Sequence, residues 1–125
     1  MCHALVIEDD PFIAMQVEDV LRAGGAGSVD IAATEDDAVA AAMRHRPDFI
    51  ASGVQLIEGT GPAAVATILA RLGPVPVIFI TANPDACSVF HGRAEILTKP
   101  VSFTTILQAF RRLVPECQWQ TWSAA

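Results

Sequence analysis

The sequence predicts an α/β fold, in which helices cover both faces of a doubly wound, five-stranded parallel sheet. Three observations lead to this prediction. Short apolar runs alternate with amphipathic stretches along the whole chain. These runs are apolar throughout, which is typical of parallel strands that are buried on both faces. The chain has 125 residues, of which 52% are hydrophobic, enough for a single domain with its own core.

The first half of the chain contains two strand–helix units. Residues 4–7 form an apolar run that ends at a group of acids, as expected for a buried strand. Asp10 and Pro11 follow, and this pair is typical of a helix that begins with a capping carboxylate and proline at its first position. Residues 29–32 are the second predicted strand. Thr34 opens a sequence similar to a capping box, which predicts the second helix.

The second half continues the alternation. Phe49–Ser52, residues 75–80 and Glu95–Thr98 are the remaining predicted strands. The last helix has the clearest apolar stripe of the chain, formed by Phe103, Ile106, Leu107, Phe110, Leu113 and Val114. We expect residues 1–115 to form the domain and residues 116–125 to form a C-terminal tail.

Composition excludes several function classes. The formal net charge of -6 argues against a nucleic-acid partner, which needs a basic surface. No apolar stretch approaches the roughly 20 residues that a membrane-spanning helix requires. The beginning of the chain does not resemble a signal peptide. Cys2, Cys87 and Cys117 are odd in number and widely spaced, so we expect reduced thiols and a cytoplasmic location.

Parallel sheets of this kind carry their working groups at the carboxyl ends of the strands. The residues at those positions are Glu8, Asp9 and Asp10 after the first strand, Gly53 and Gln55 after the third, Thr81 after the fourth and Lys99 after the fifth. Acids, a hydroxyl and a lysine at one edge of a sheet predict a functional site there. Asp10 we interpret as a helix cap only.

Four segments in this order resemble the response-regulator receiver domain, the phosphoacceptor module of two-component signalling. They are VIEDDP, PDFIASGVQLIEGTG, VIFITA and ILTKPV. The resemblance covers about residues 3–114 and implies a flavodoxin-like fold of the receiver type. It also implies that Glu8 and Asp9 bind Mg²⁺ together with the backbone carbonyl of Gln55. Thr81 corresponds to the hydroxyl residue that senses the phosphoryl group.

Lys99 corresponds to the lysine that pairs with the phosphoryl group, and the Lys99–Pro100 bond is expected to be cis. The family's phosphoaccepting aspartate falls at position 53, where this sequence has glycine, so no catalytic nucleophile is expected there. The aromatic switch position is Ile96. The short spacing between Thr81 and Lys99 predicts a short fourth helix, as in a receiver subgroup common in alphaproteobacteria.

These features support three hypotheses. The first is a degenerate, single-domain receiver that is not an enzyme, binds Mg²⁺ weakly and acts through contacts with a histidine kinase, another signalling protein or a second copy of the chain. The second is a conventional Mg²⁺-dependent receiver in which Gly53 is an engineered or rare change. The third is an unrelated enzyme, which lacks support because no phosphate-binding loop or nucleophile–base pair is visible. Ser52 lies next to Gly53, but strand alternation directs its side chain to the opposite face, so we do not expect it to replace the missing aspartate as phosphoacceptor.

Several other residues are of types that bind metal ions, but simpler explanations account for them. Cys87 and His91 are four positions apart and could face one metal, yet no second ligand pair accompanies them, so we expect local packing. His3 and His45 are expected at the surface or at an edge.

The tail contains Trp119 and Trp122. They either pack back onto the domain or form part of a partner surface together with the fifth strand and the last helix.

Overall fold

Five parallel strands form one sheet in the order β2-β1-β3-β4-β5 in the computed structural model, which describes residues 2–87 and 94–117. The strands are β1 (His3–Ile7), β2 (Ser28–Ala32), β3 (Phe49–Ser52), β4 (Val77–Thr81) and β5 (Glu95–Thr98). In the central register, Leu5 of β1 lies opposite Asp30 of β2 and Ile50 of β3. The chain order reverses at β1, so the crevice beyond the carboxyl ends of β1 and β3 is the favoured place for a site.

In the described part of the chain, four α-helices connect the strands or end the domain: α1 (Pro11–Ala23), α2 (Glu35–Arg44), α3 (Gly61–Leu72) and α4 (Phe103–Leu113). The helix starts predicted from the sequence are confirmed. The Asp10 carboxylate accepts a hydrogen bond from the Phe12 N–H at 2.9 Å, and the Thr34 hydroxyl accepts one from the Asp37 N–H at 3.1 Å. These side chains satisfy N–H groups that have no partner within the helix.

Two apolar layers cover the sheet. The layer beneath α1 and α4 includes Phe49 and Phe110, whose ring centroids lie 4.9 Å apart. The other layer lies beneath α2 and α3 and includes Ile50 and Phe79. The doubly wound fold predicted from the sequence is therefore confirmed. Within the described residues, no helix has both the length and the apolar character that crossing a membrane would require.

The sequence predicted a short fourth helix between β4 and β5, and part of this segment lies outside the described residues. Its described part contains a 3₁₀-helix at Pro84–Cys87, and the chain is described again from Ala94. The Lys99–Pro100 peptide bond is cis, as expected. His91 and the two tail tryptophans, Trp119 and Trp122, lie outside the described residues.

One expectation about the cysteines is wrong. Cys2 and Cys117 form a disulfide, with a Cα–Cα distance of 5.3 Å, and each is only 2% exposed. Their separation of 115 positions gives no local signal in the sequence. The fold brings them together because β1 starts, and α4 ends, at the amino edge of the sheet.

The cross-link joins the two ends of the domain, and loop closure over a segment of this length is worth about 2–5 kcal/mol in protein disulfides. We therefore expect the double variant Cys2→Ala/Cys117→Ala to lose about that much free energy of unfolding. Urea unfolding with and without reductant measures the effect.

The expected pattern is a reductant-sensitive wild type and a reductant-insensitive double variant, while Cys87→Ala behaves as wild type. Finding three titratable thiols in unfolded, unreduced wild-type protein would contradict the disulfide.

Candidate functional site

The candidate site lies where β1 and β3 end side by side. The Gly53 N–H donates a hydrogen bond to the Ile7 carbonyl at 2.8 Å, and the Glu8 N–H donates to the Ala32 carbonyl at 2.9 Å. The backbone at the end of β1 is therefore held on both sides. This pairing places the Glu8 side chain directly beside position 53.

The Glu8 carboxylate occupies the space in front of Gly53. A Cβ atom on Gly53 would lie 3.0 Å from Glu8 Oε1, and the other carboxylate oxygen accepts a hydrogen bond from the Asp10 N–H at 3.1 Å. Gly53 does not have a positive φ, unlike Gly25 and Gly59. The backbone at position 53 thus suits an ordinary side chain, provided that the flexible end of Glu8 moves by a few tenths of an ångström.

Glu8 is half-buried, and its environment disfavours the ionised form of its carboxyl group. Burial raises the pKa of the Glu8 carboxyl, and the neighbouring Asp9 carboxyl raises that pKa further. The Asp10 N–H and the Lys99 ammonium act in the opposite direction, but the net shift remains upward. Desolvation is the leading cause, as expected for a carboxylate held between strand ends.

The start of α3 lies in close contact with the end of β3. A Cβ atom on Gly61 would lie 1.8 Å from the Gly53 carbonyl oxygen and 2.3 Å from Ser52 Oγ, so only glycine fits there. The Ser52 hydroxyl is buried and donates to the Gly53 carbonyl at 2.7 Å. The sequence indicated a Gly-rich loop at this point, but not that Gly61 is the residue on which the close approach depends. Gln55 is exposed and pairs with Thr60 in an isolated antiparallel bridge.

Thr81 and Lys99 lie at the ends of β4 and β5. The Thr81 hydroxyl accepts from the Asn83 N–H at 3.0 Å and donates to the Asn83 carbonyl at 3.2 Å. The Lys99 N–H donates to the Thr81 carbonyl at 2.8 Å. The hydroxyl is thus engaged by Asn83, a partner that the sequence did not reveal.

Lys99 and Asp9 do not form an ion pair in this structure. The ion pairs of the described residues are Arg22–Glu18 and Arg112–Glu95, and the contact between His3 and Asp30 is an ion pair only when the His3 ring is protonated. Lys99 is exposed, so water competes with the carboxylates for its ammonium group. It acts on the site at longer range, through its effect on Glu8.

The raised pKa of Glu8 has a consequence for stability. The folded state binds the proton of this carboxyl more tightly than the unfolded state, so its ionisation opposes folding at neutral pH. We expect Glu8→Gln to be more stable than wild type at pH 7, since the amide oxygen can still accept from the Asp10 N–H. The gain should shrink as the pH falls through the raised pKa of the folded state, and it should be lost below the ordinary carboxyl pKa of about 4.3, where wild-type Glu8 is protonated in both states.

Urea unfolding of both proteins across this pH range measures the difference. Glu58→Gln is the matched control, since Glu58 is exposed. A gain for Glu8→Gln that is absent at pH 7, or that grows as the pH falls, would contradict this interpretation.

Comparison with known proteins agrees with this geometry. The chain is 38% identical to the phyllosphere-induced regulator PhyR of Methylorubrum extorquens over 82 residues, which cover 65% of this chain and 31% of that protein. It spans about a third of the length of the first curated relatives that it matches.

Solved structures are similar as well. The receiver domain of Erythrobacter litoralis PhyR is 32% identical with a TM-score of 0.78, and the match covers 90% of this chain and 89% of that one. Chemotaxis protein CheY4 of Vibrio cholerae is 25% identical with a TM-score of 0.79, covering 90% and 98% of the two chains. The family model described as the response regulator receiver domain matches residues 4–111. The chain therefore belongs to the response regulator receiver domain family.

Proposed function

We propose that this receiver domain does not accept a phosphoryl group and signals through protein–protein contacts instead. Receiver domains are signalling modules rather than enzymes. The main observation behind the proposal is that Gly53 supplies no carboxylate at the end of β3. The Glu8 carboxylate lies in the space beside it. A preset surface, rather than a change of charge at position 53, would then carry the signal.

No neighbouring group replaces the missing nucleophile. An acyl phosphate forms when a carboxylate oxygen attacks phosphorus and the donor's leaving group departs. Ser52 is 1% exposed and its proton is directed at the Gly53 carbonyl, while the Thr81 hydroxyl is engaged with Asn83. Asp9 is a carboxylate, but we assign it to the metal.

Members of this family bind Mg²⁺, and the oxygen donors at this edge fit such an ion in part. Glu8 and Asp9 offer carboxylate oxygens, the hard ligands that Mg²⁺ prefers, and we propose that the Gln55 carbonyl is the third protein ligand. A bound ion would neutralise negative charge on an anion near the strand ends. With no carboxylate at position 53, we propose that the ion binds weakly.

The partner surface that we propose combines β5 and the start of α4. Ile96 is 43% exposed and Phe103 is 55% exposed, both large apolar side chains that water covers poorly. PhyR of Bartonella quintana, of which this chain covers 52% at 29% identity, is an anti-anti-sigma factor. We propose a histidine kinase or another signalling protein as the partner here, with self-association as the alternative.

The proposal is tested by phosphorylation in vitro. We expect no phosphoryl adduct when the wild-type protein is incubated with acetyl phosphate and Mg²⁺ and its intact mass is measured. Gly53→Asp should gain one hydroxylamine-labile adduct, because the backbone at position 53 accepts a side chain. Gly53→Asn, which has the same shape without the nucleophile, is the matched control.

A stoichiometric adduct on the wild-type protein would refute the proposal, whether it is acid-stable at Ser52 or hydroxylamine-labile at Asp9. An unmodified Gly53→Asp variant would instead show that the rest of the site has also lost its activity.

Mg²⁺ affinity provides a separate test. A third carboxylate adds charge and an oxygen ligand, so we expect Gly53→Asp to bind Mg²⁺ roughly tenfold more tightly than wild type, and Gly53→Asn to show a smaller gain. Calorimetry on the three proteins measures this. Equal affinity of wild type and Gly53→Asp would contradict the assignment of Glu8 and Asp9 as an incomplete metal site.

A further inference from the structure

A second cluster of ligand-type side chains lies at the amino edge of the sheet, away from the receiver site. His3 begins β1, Asp30 lies within β2 and His45 directly follows α2. One potential ligand atom from each residue lies within 4.8 Å of the other two. We propose that His3, Asp30 and His45 form a binding site for a first-row divalent metal ion, with Zn²⁺ the best match to two imidazoles and one carboxylate.

His3 is held as metal-binding histidines usually are. Although we expected this residue at the surface or an edge, its position is only 3% exposed. Its backbone N–H donates to the Asp48 carboxylate at 2.9 Å, and its ring Nδ1 lies 2.7 Å from Ser28 Oγ. A second partner of this kind fixes the orientation of the ring and leaves the other nitrogen for the ion. Here that nitrogen is Nε2, which faces Asp30.

The contact between His3 and Asp30 requires a positive charge or a proton between the two atoms. His3 Nε2 lies 3.1 Å from Asp30 Oδ2. Nδ1 lies beside the Ser28 hydroxyl and Nε2 beside the Asp30 carboxylate. In the tautomer whose proton points at Ser28, Nε2 and the carboxylate oxygen are two acceptors that repel each other, and a metal ion between them removes this repulsion. In the other tautomer the ion takes the place of the Nε2 proton.

His45 is the adjustable ligand. Its ring stacks on that of His3, with centroids 3.5 Å apart and an angle of 8° between the planes. Two stacked rings cannot both direct a lone pair at one ion, so His45 must rotate on binding. It is exposed, so its ring has room to rotate toward an ion held by His3 and Asp30.

The local charge also favours a cation. Asp30 and Asp48 both contact His3. The next residue after His45, Arg46, donates instead to the carbonyl oxygens of Leu72 and Pro74 at the end of α3. A bound ion would join β1, β2 and the end of α2. With three protein ligands, it would keep one position for water or another ligand.

The test is a titration of the untagged, chelator-treated 125-residue protein with Zn²⁺ in a calorimeter. We expect one saturable site per chain. His45→Ala and Asp30→Asn should each weaken binding by about tenfold or more. Two controls should bind as wild type: His91→Ala removes the third histidine of the chain, and Glu58→Gln replaces an exposed carboxylate that neither proposed metal site uses.

Because replacement of the buried His3 could impair folding, its role is followed in the wild-type protein. The ¹⁵N signal of His3 Nε2 should shift on Zn²⁺ addition. The proposal is overturned if no saturable binding occurs, if one ion binds per two chains, if His45→Ala and Asp30→Asn leave the affinity unchanged, or if Glu58→Gln abolishes binding.

Discussion

The pairing of β1 with β3 at the centre of the sheet is the constraint on which the candidate site depends. Both strands are buried, and the hydrogen bond from Gly53 to Ile7 at 2.8 Å continues their register to the strand ends. Glu8 therefore emerges beside position 53, with the close approach of Gly61 on the other side. Little freedom remains for this part of the chain, so the identity of residue 53 determines how the Glu8 carboxylate is accommodated.

Replacing a carboxylate with glycine has separate effects on chemistry and on stability. The nucleophile is absent, and repulsion between neighbouring acids is smaller than it would be with aspartate at position 53. The pKa of Glu8 is nevertheless raised, because burial is the larger cause. The domain thus retains an acid whose ionisation opposes folding, although we propose that it no longer takes part in phosphoryl transfer. Natural proteins commonly retain such destabilising groups at binding sites.

The two edges of the sheet differ in character. The amino edge holds the Cys2–Cys117 disulfide and, on the next residue, the His3 cluster, so a covalent link and a potential metal link lie close together. The carboxyl edge holds Glu8 and the exposed Lys99, with no comparable cross-link among the described residues. The disulfide thus lies away from the strand ends that we assign to Mg²⁺ and partner binding.

The sequence by itself determined the alternation of strands and helices, the caps at Asp10 and Thr34, and the absence of a carboxylate at position 53. Each of these depends on local periodicity, on capping chemistry or on counting along a motif. Only the tertiary structure decided that Cys2 meets Cys117, that His3 is buried, and that the Glu8 carboxylate lies beside Gly53. Local patterns report which face of a segment is buried, but not which side chains of distant segments meet. Lys99 is a further example. Whether its ammonium group contacts water or a carboxylate depends on its exposure, and only the packed fold establishes that exposure.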